Sequence, residues 1–354
     1  MPTKHGARPE IDPDSRHADV LREVVRQHIQ SGEPVGSAAV SRVARLGLSP
    51  ASIRNVMAEL EELGLLSQPH TSAGRVPTDR AYRVYVDQLL RRPRVAATEA
   101  DAIERALEGS RGEVDELCGE ASRQLSRFSQ QVALVLAPDL QRLVVDHLEF
   151  VRLDPGRVMA ILVARSGVVH NRILPLSEPL TPLELERIGR YLSAEFGGLT
   201  LPEMRAALEH SLGQERAAYD RLMAASLDLG RRAVDLEQEG ELFVEGASNL
   251  LSLPDFSDLD LLRALLRTLE DKRTLIDLLG RLIESSGVQV VIGEENRLSD
   301  LTRCSLVAST YRAGGRVLGT VGVVGPIRMP YGRAMALVDH LSRVLSRMLS
   351  STEN

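Results

Sequence analysis

Apolar residues follow two different periods along this chain, and the change between them marks its organisation. From residue 14 to residue 95 they recur every third or fourth position, which is typical of helices. Later, alternating or continuous β-branched runs predict strands. The strand segments are QVALVLAP at 131–138, LVVDHLEFVRL, RVMAILVA and VVHNRILPL between 143 and 176, ELFVEG at 241–246, and VQVVIG, SLVASTYR and RVLGTVGVV after 287.

Helical periodicity predicts helices around these strands, at 98–128 with a break near Gly109, and at about 181–196, 201–212, 214–238, 258–271, 273–285 and 330–349. Short turns at 154–156 and 166–167 predict that the segments between 143 and 176 form an antiparallel meander. This meander and its helices interrupt a second set of strands. The pattern therefore predicts a multidomain α+β chain in which one domain is inserted into another.

The first part of the chain predicts three helices. Asp14 or Ser15 is expected to cap a helix that continues to about Gln30, and a short helix opens near Ser37. The third begins after Ser49, a natural N-cap that is followed by proline. Its predicted buried stripe is Ile53, Val56, Met57, Leu60 and Leu63. The spacing does not match the strictest helix-turn-helix, which favours an apolar residue at Arg42, so we expect a longer turn.

The opposite face of the third helix is small and polar near its start, with Ala51, Ser52, Arg54, Asn55 and Ala58. Recognition helices place base-contacting residues at this point. Arginine can bind guanine and asparagine adenine in the major groove, and a helix N-terminus with Ser49 favours a phosphate. Solvated surface residues are the ordinary alternative for Arg54 and Asn55.

A hairpin is predicted after this helix, between Leu65 and Val76, with its tip at residues 72–75. Arg75 at such a tip could contact a phosphate or enter a minor groove, with His70 and Thr71 beside it. Helices followed by a basic hairpin predict a winged helix-turn-helix that binds double-stranded DNA. A structural turn remains the alternative for residues 67–71, and a surface position for His70.

Charge supports this interpretation once it is divided along the chain. The net charge of −6 disfavours a nucleic-acid-binding protein. Residues 1–95, however, hold 14 basic and 11 acidic residues, a balance of +3, whereas the remainder has a balance of −9. Because the positive excess is small, one copy is expected to bind DNA weakly and two copies are expected to act together.

The sequence favours no catalytic or metal site, so we expect no enzyme activity, cofactor or metal. Among the familiar motifs, GxSxG, HExxH, the P-loop and GxGxxG are all missing. The glycines at 314, 315, 319, 322 and 325 fit a hairpin and strand packing better than a phosphate loop. Glu294 and Glu295 near Asp300 could hold a metal, but a solvated loop is the simpler interpretation. Two distant cysteines and no apolar run that could span a bilayer predict a cytoplasmic protein.

Several segments together resemble the heat-inducible transcription repressor family HrcA. They are LSPASIRNVMAELEELGLL, QPHTSAGRVPTDRAYRVYVD, GASNLL, GVQVVIGEEN and GRVLGTVGVVGPIRMPYGRAMALVDHLSRVL. Since they lie at both ends of the chain, the resemblance covers nearly its whole length. It implies a repressor that binds an inverted-repeat operator as a homodimer and is modulated by the GroEL-type chaperonin. A metabolite-responsive regulator that uses its GAF-like domain is the alternative.

The resemblance, together with the polar and proline-containing composition of residues 1–13, also implies a domain organisation. We expect a disordered tail at 1–13, a winged helix-turn-helix at 14–95, a discontinuous GAF-like domain at 96–140 and 239–350, and an inserted dimerisation domain at 141–238. By motif position, Ser52, Arg54 and Asn55 would contact bases. Contacts to the DNA backbone or minor groove would fall to Ser49, Arg75, His70 and Thr71, with Ala51 allowing close approach.

Overall fold

A computed structural model describes most of the chain, and it confirms that the fold is a mixture of helices and antiparallel sheets. The described residues are 11–43, 47–70, 74–90, 94–110, 114–138, 143–165, 168–176, 178–214, 221–234, 241–281, 287–296, 298–313 and 315–350. Three groups of elements follow one another, and each has a distinct packing pattern.

The N-terminal group, here called the head, contains four helices and a short hairpin. Its elements are α1 (Arg16–Ser31), α2 (Ser37–Ser41), α3 (Pro50–Glu62), β1 (Leu66–Ser67), β2 (Val76–Pro77) and α4 (Asp79–Val84), which continues as a π-helical turn (Tyr85–Leu89). Ser15 caps α1 by accepting a hydrogen bond from the Ala18 amide. The apolar stripes of α1 and α3 pack together, with Leu21, Ile53 and Leu60 fully buried.

A five-stranded antiparallel sheet forms the central group. Its strands are β3 (Val132–Leu136), β7 (Leu242–Glu245), β8 (Gln289–Ile292), β9 (Cys304–Ala313) and β10 (Arg316–Pro326), in the spatial order β7-β3-β10-β9-β8. As the glycine spacing predicted, β9 and β10 form a hairpin. Gly319, Gly322 and Gly325 lie within β10, which confirms their assignment to strand packing.

Helices cover both faces of this sheet. On one face lie α5 (Ala97–Glu108), α6 (Val114–Ser129) and α12 (Tyr331–Ser350), and on the other lie α10 (Leu259–Glu270) and α11 (Lys272–Gly280). The α12 side of the sheet shares one continuous apolar cluster with the head. The head is therefore packed against the central group as well as joined to it by the chain.

The third group interrupts the central sheet between β3 and β7. It consists of β4 (Val145–Asp154), β5 (Arg157–Ala164), β6 (Val169–Pro175), α7 (Pro182–Phe196), α8 (Leu201–Gln214) and α9 (Arg221–Val234). The strands form the predicted antiparallel meander, in the order β4-β5-β6. Its apolar cluster is separate from the clusters on the two faces of the central sheet. We call this group the insert.

Candidate nucleic-acid interface

The start of α3 has the geometry that its sequence predicted. Ser49 is the N-cap, and its Oγ accepts a hydrogen bond of 3.1 Å from the Ser52 amide. The two hydroxyl oxygens of Ser49 and Ser52 also lie 3.0 Å apart. Pro50 occupies the first turn, where its missing amide hydrogen is not needed. The helix therefore begins at a defined point, and because the Ser52 and Ile53 amides both bond to Ser49, the Ala51 amide is the one among the described first-turn donors that is left to face outward.

The face of α3 that the sequence assigned to solvent is exposed along the first turns. Its residues are Ala51, Ser52, Arg54, Asn55 and Ala58. Ile53, Met57 and Leu60 are buried beneath them, as predicted. Leu63 was expected in the same stripe, but that prediction is wrong because its side chain is 48% exposed. It is the C-cap residue, so it lies beyond the last turn that packs on α1.

The turn between α2 and α3 is long, as the polar residue at position 42 indicated. The second helix ends at Ser41 and the third begins at Pro50. Gly47 lies in this turn with φ of 59°, a conformation that favours glycine.

The hairpin after α3 pairs two short strands of two residues each. Leu66 pairs with Pro77, and Ser67 pairs with Val76. His70 is exposed, in agreement with the surface interpretation. Thr71, the other predicted contact in this loop, lies outside the described residues.

Arg75 does not lie at the tip of the hairpin, and that part of the prediction is wrong. Its backbone pairs with Val35, in the connection between α1 and α2. Its Nε lies 2.8 Å from Glu61 Oε2, and the side chain is only 18% exposed. Sequence spacing reports only on neighbouring residues, and it favoured the turn for Arg75. It could not show the pairing with Val35, which joins segments that are far apart along the chain.

Comparison with known proteins identifies the family. A family model described as the HrcA protein C-terminal domain matches residues 115–335, more than half of the chain.

The chain belongs to the HrcA family.

Two HrcA relatives illustrate the match, and both bear the name heat-inducible transcription repressor HrcA. The protein from Geobacter sulfurreducens is 39% identical over 338 residues, which cover 96% of this chain and 98% of the relative. The protein from Xanthomonas campestris pv. campestris is 41% identical over 337 residues, covering 95% of each. The resemblance drawn from the sequence motifs is therefore confirmed.

A solved structure supports the fold of this HrcA-family chain. It is a crystal structure of a hypothetical protein with a TM-score of 0.65 and 24% sequence identity, covering 96% of this chain and 99% of the other. At that identity the likeness concerns the fold alone.

One contact between the head and the central group was missed by sequence reasoning. Arg83 donates from Nε to Glu295 Oε1 at 2.8 Å and from Nη2 to the Val290 carbonyl at 2.7 Å. Beside this pair, Asp79 Oδ2 accepts a 3.2 Å hydrogen bond from the Glu294 amide. Burial raises the pKa of Asp79, and repulsion from Glu294 and Glu295 adds to the effect. The acidic loop therefore holds the head.

A second contact centres on Arg328. Its Nε donates to Asp255 Oδ1 at 2.6 Å and its Nη1 to the Ile29 carbonyl at 3.2 Å. Nearby, the buried His28 Nδ1 shares a 2.7 Å hydrogen bond with the Tyr82 hydroxyl. Burial lowers the pKa of His28, and the Arg328 guanidinium lowers it further. These two contacts fix the orientation of the head on the central group.

Among the described residues no cluster of histidine, cysteine and carboxylate side chains could hold a metal, and Glu295 is committed to Arg83. The two cysteines, Cys118 and Cys304, are free and buried, and burial raises the pKa of each thiol to about 12. No helix in the described part of the chain is long and apolar enough to cross a bilayer.

Proposed function

We propose that this HrcA-family chain represses heat-shock (chaperone) operons by binding an inverted-repeat operator in the cytoplasm as a dimer. The observation that carries this proposal is the capped α3, whose small and polar N-terminal face is exposed in a chain of a repressor family. Relatives are regulators by name, and we assign no enzyme activity to this chain.

The exposed face of α3 supports a recognition role within a winged helix-turn-helix at 14–95. Arg54 and Asn55 lie on successive exposed positions and offer donors that match guanine and adenine edges. Ser52 is near enough to the helix start to contact a base, while Ala51 lets the backbone approach. The Ser49 hydroxyl and the Ala51 amide would bind a phosphate at the start of the helix. His70 and Thr71 remain proposed contacts of the hairpin loop.

The outer face of the insert supports dimerisation through residues 141–238. Three rows of side chains cross its sheet: Val151–Met159–Ile173, Glu149–Ile161–Asn171 and His147–Val163–Val169. Several of these residues are apolar yet accessible, and Ile173 is 55% and Val151 43% exposed. One face of an antiparallel sheet is normally polar when it faces water. An apolar outer face therefore favours a partner, and a second copy would form a two-fold interface.

The central group supports the GAF-like assignment for residues 96–140 and 239–350. Its antiparallel sheet is interrupted between β3 and β7, where the insert enters. Two-fold pairing through the insert would place two heads on one duplex, one for each half-site. The second contact then becomes effectively intramolecular, which compensates for the small positive excess of each head.

The GroEL-type chaperonin is proposed as the partner that keeps the repressor active. Exposed apolar side chains such as Leu251 (67%) and Leu259 (64%) are compatible with capture by a chaperone. When unfolded clients occupy the chaperonin, less active repressor would remain and chaperone genes would be expressed.

A metabolite-responsive regulator finds less support. A cleft of about 880 Å³ opens beside β7, but acidic side chains outnumber basic ones in its lining. They are Asp115, Glu116, Glu241, Glu245 and Glu270, against Arg123 and Lys272. Small-molecule sites are usually lined mainly by apolar groups. A ligand that raised the unfolding temperature and changed operator affinity would favour this alternative.

The proposal is tested by titrating the full chain against a fluorescent chaperone-promoter duplex and a scrambled duplex, with and without chaperonin. We expect tighter binding to the promoter, a stoichiometry of two chains per duplex, and a larger active fraction with chaperonin. Equal affinity for both duplexes under both conditions would refute it.

A further inference from the structure

Arg75 connects three parts of the head through its backbone and its side chain. Its amide donates to the Val35 carbonyl at 2.8 Å, and the Val35 amide donates to the Arg75 carbonyl at 2.9 Å. The preceding residue must be glycine for this approach, because a Cβ at Gly74 would lie 2.5 Å from the Val35 carbonyl carbon and oxygen. Strand β2 is therefore tied to the connection between α1 and α2.

The side chain of Arg75 connects this backbone pairing to α3. We call the combined contact of Val35, Arg75 and Glu61 the joint. Its Nε lies 2.8 Å from Glu61 Oε2, in the last turn of that helix. Among the described residues Nε has no aligned hydrogen-bond acceptor, so the contact is an ion pair rather than a hydrogen bond. Glu59 precedes Glu61 by two residues on α3, and its Oε2 lies 2.5 Å from His17 Nε2 on α1. The acidic end of α3 is thus held on two sides.

We propose that Arg75 is a positioning residue, which sets the angle between the hairpin and α3 and does not contact DNA. The inference rests on the proposed binding of DNA by α3. Strands of two residues form a weak hairpin on their own, so its orientation depends on outside contacts. Because Nε faces Glu61 and the side chain is only 18% exposed, a phosphate contact would fall to the Nη groups, with the Glu61 carboxylate close to the same anion.

Reversing the charges of Arg75 and Glu61 distinguishes a positioning role of Arg75 from a phosphate contact. Arg75→Glu and Glu61→Arg should each lower the ratio of operator to scrambled affinity about fivefold, as expected for one ion pair. The double variant should recover most of that loss because the pair is restored in reverse. Glu62→Arg is the matched control, since Glu62 is the exposed neighbour of Glu61. Combining Glu62→Arg with Arg75→Glu should recover nothing.

Salt dependence gives a second, independent test with Arg75→Met. Loss of a phosphate contact lowers the slope of log K against log salt by about 0.9, or about 1.8 for two heads. A positioning role leaves the slope unchanged while operator affinity falls. A reduced slope, together with no recovery in the double variant, would overturn the proposal in favour of a phosphate contact.

Amide hydrogen exchange tests the joint in the free protein. Arg75→Met and Glu61→Gln should both speed exchange in peptides that contain Val35 and β2, and the charge-reversed pair should restore protection. Unchanged exchange in both single variants would refute the positioning role. Because this measurement needs no DNA, it still tests the joint if the wild-type chain shows no operator preference, which would refute only the proposed function.

Discussion

Replacing Gly293 with alanine should loosen the contact between the head and the central group. This glycine has φ of +53°, and an added Cβ would lie 1.8 Å from Asp79 Oδ2. The same carboxylate oxygen accepts the hydrogen bond from the Glu294 amide. Alanine therefore combines backbone strain with displacement of Asp79 from its half-buried position.

The two costs can be estimated separately. Left-handed backbone costs a residue with a Cβ about 1–2 kcal/mol. Loss of a hydrogen bond to a charged group costs about 1.5–3 kcal/mol. We therefore expect Gly293→Ala to lower the free energy of unfolding by about 2.5–5 kcal/mol. Gly287→Ala is the matched control: φ is +75° there, but no atom of the described residues lies within 4 Å of the added Cβ, so only the backbone cost applies.

Urea unfolding followed by circular dichroism, with limited proteolysis near residue 90, measures this effect. Proteolysis reports whether the head separates before the central group unfolds. In the double variant Gly293→Ala with Asp79→Ala the clash disappears. Its loss of unfolding free energy should therefore be smaller than the sum of the losses in the two single variants. Equal destabilisation by Gly293→Ala and Gly287→Ala would refute the role assigned to the Asp79 contact.

Three other variants test separate parts of the account. Ser49→Ala should lower the free energy of unfolding by about 1 kcal/mol, measured in urea, because it removes the cap of α3. Ile173→Glu should convert dimers to monomers in sedimentation velocity, whereas Leu251→Glu, at an even more exposed position outside the insert, should not. Because burial lowers the pKa of His28 from 6.5, the unfolded chain binds more protons, so unfolding free energy should fall as pH drops from neutrality. His28→Gln should flatten that fall in urea titrations between pH 7.5 and 5.5, and an unchanged slope would contradict the assignment.

Local signals predicted most elements because they depend on neighbouring residues. The caps at Ser15 and Ser49 and the meander turn at 154–156 each act within a few positions, and each appears where it was expected. The sequence did not reveal the π-helical turn at Tyr85–Leu89. The Leu89 carbonyl at its end accepts a hydrogen bond from Arg22 on α1, so the turn depends on packing between segments that are distant in the sequence.

The candidate site was likewise predicted only where it depends on neighbouring residues. Helical periodicity was sufficient to assign the exposed face of α3. It could not reveal that Arg75 pairs with Glu61 or that Arg83 contacts Glu295, which is 212 residues away. A glycine directly before Arg75 was a clue to close backbone approach, but one sequence does not show which segment approaches.

The most direct test of the central claim is the operator preference of Arg54→Ala. Fluorescence anisotropy with operator and scrambled duplexes, at fixed salt, gives the ratio of the two affinities. We expect this ratio to fall about five- to 150-fold, equivalent to about 1–3 kcal/mol for a lost bidentate base contact. Arg16→Ala, an exposed arginine at the start of α1, should leave the ratio unchanged. An Arg54→Ala protein that kept the wild-type ratio would contradict recognition of the operator through Arg54 on α3.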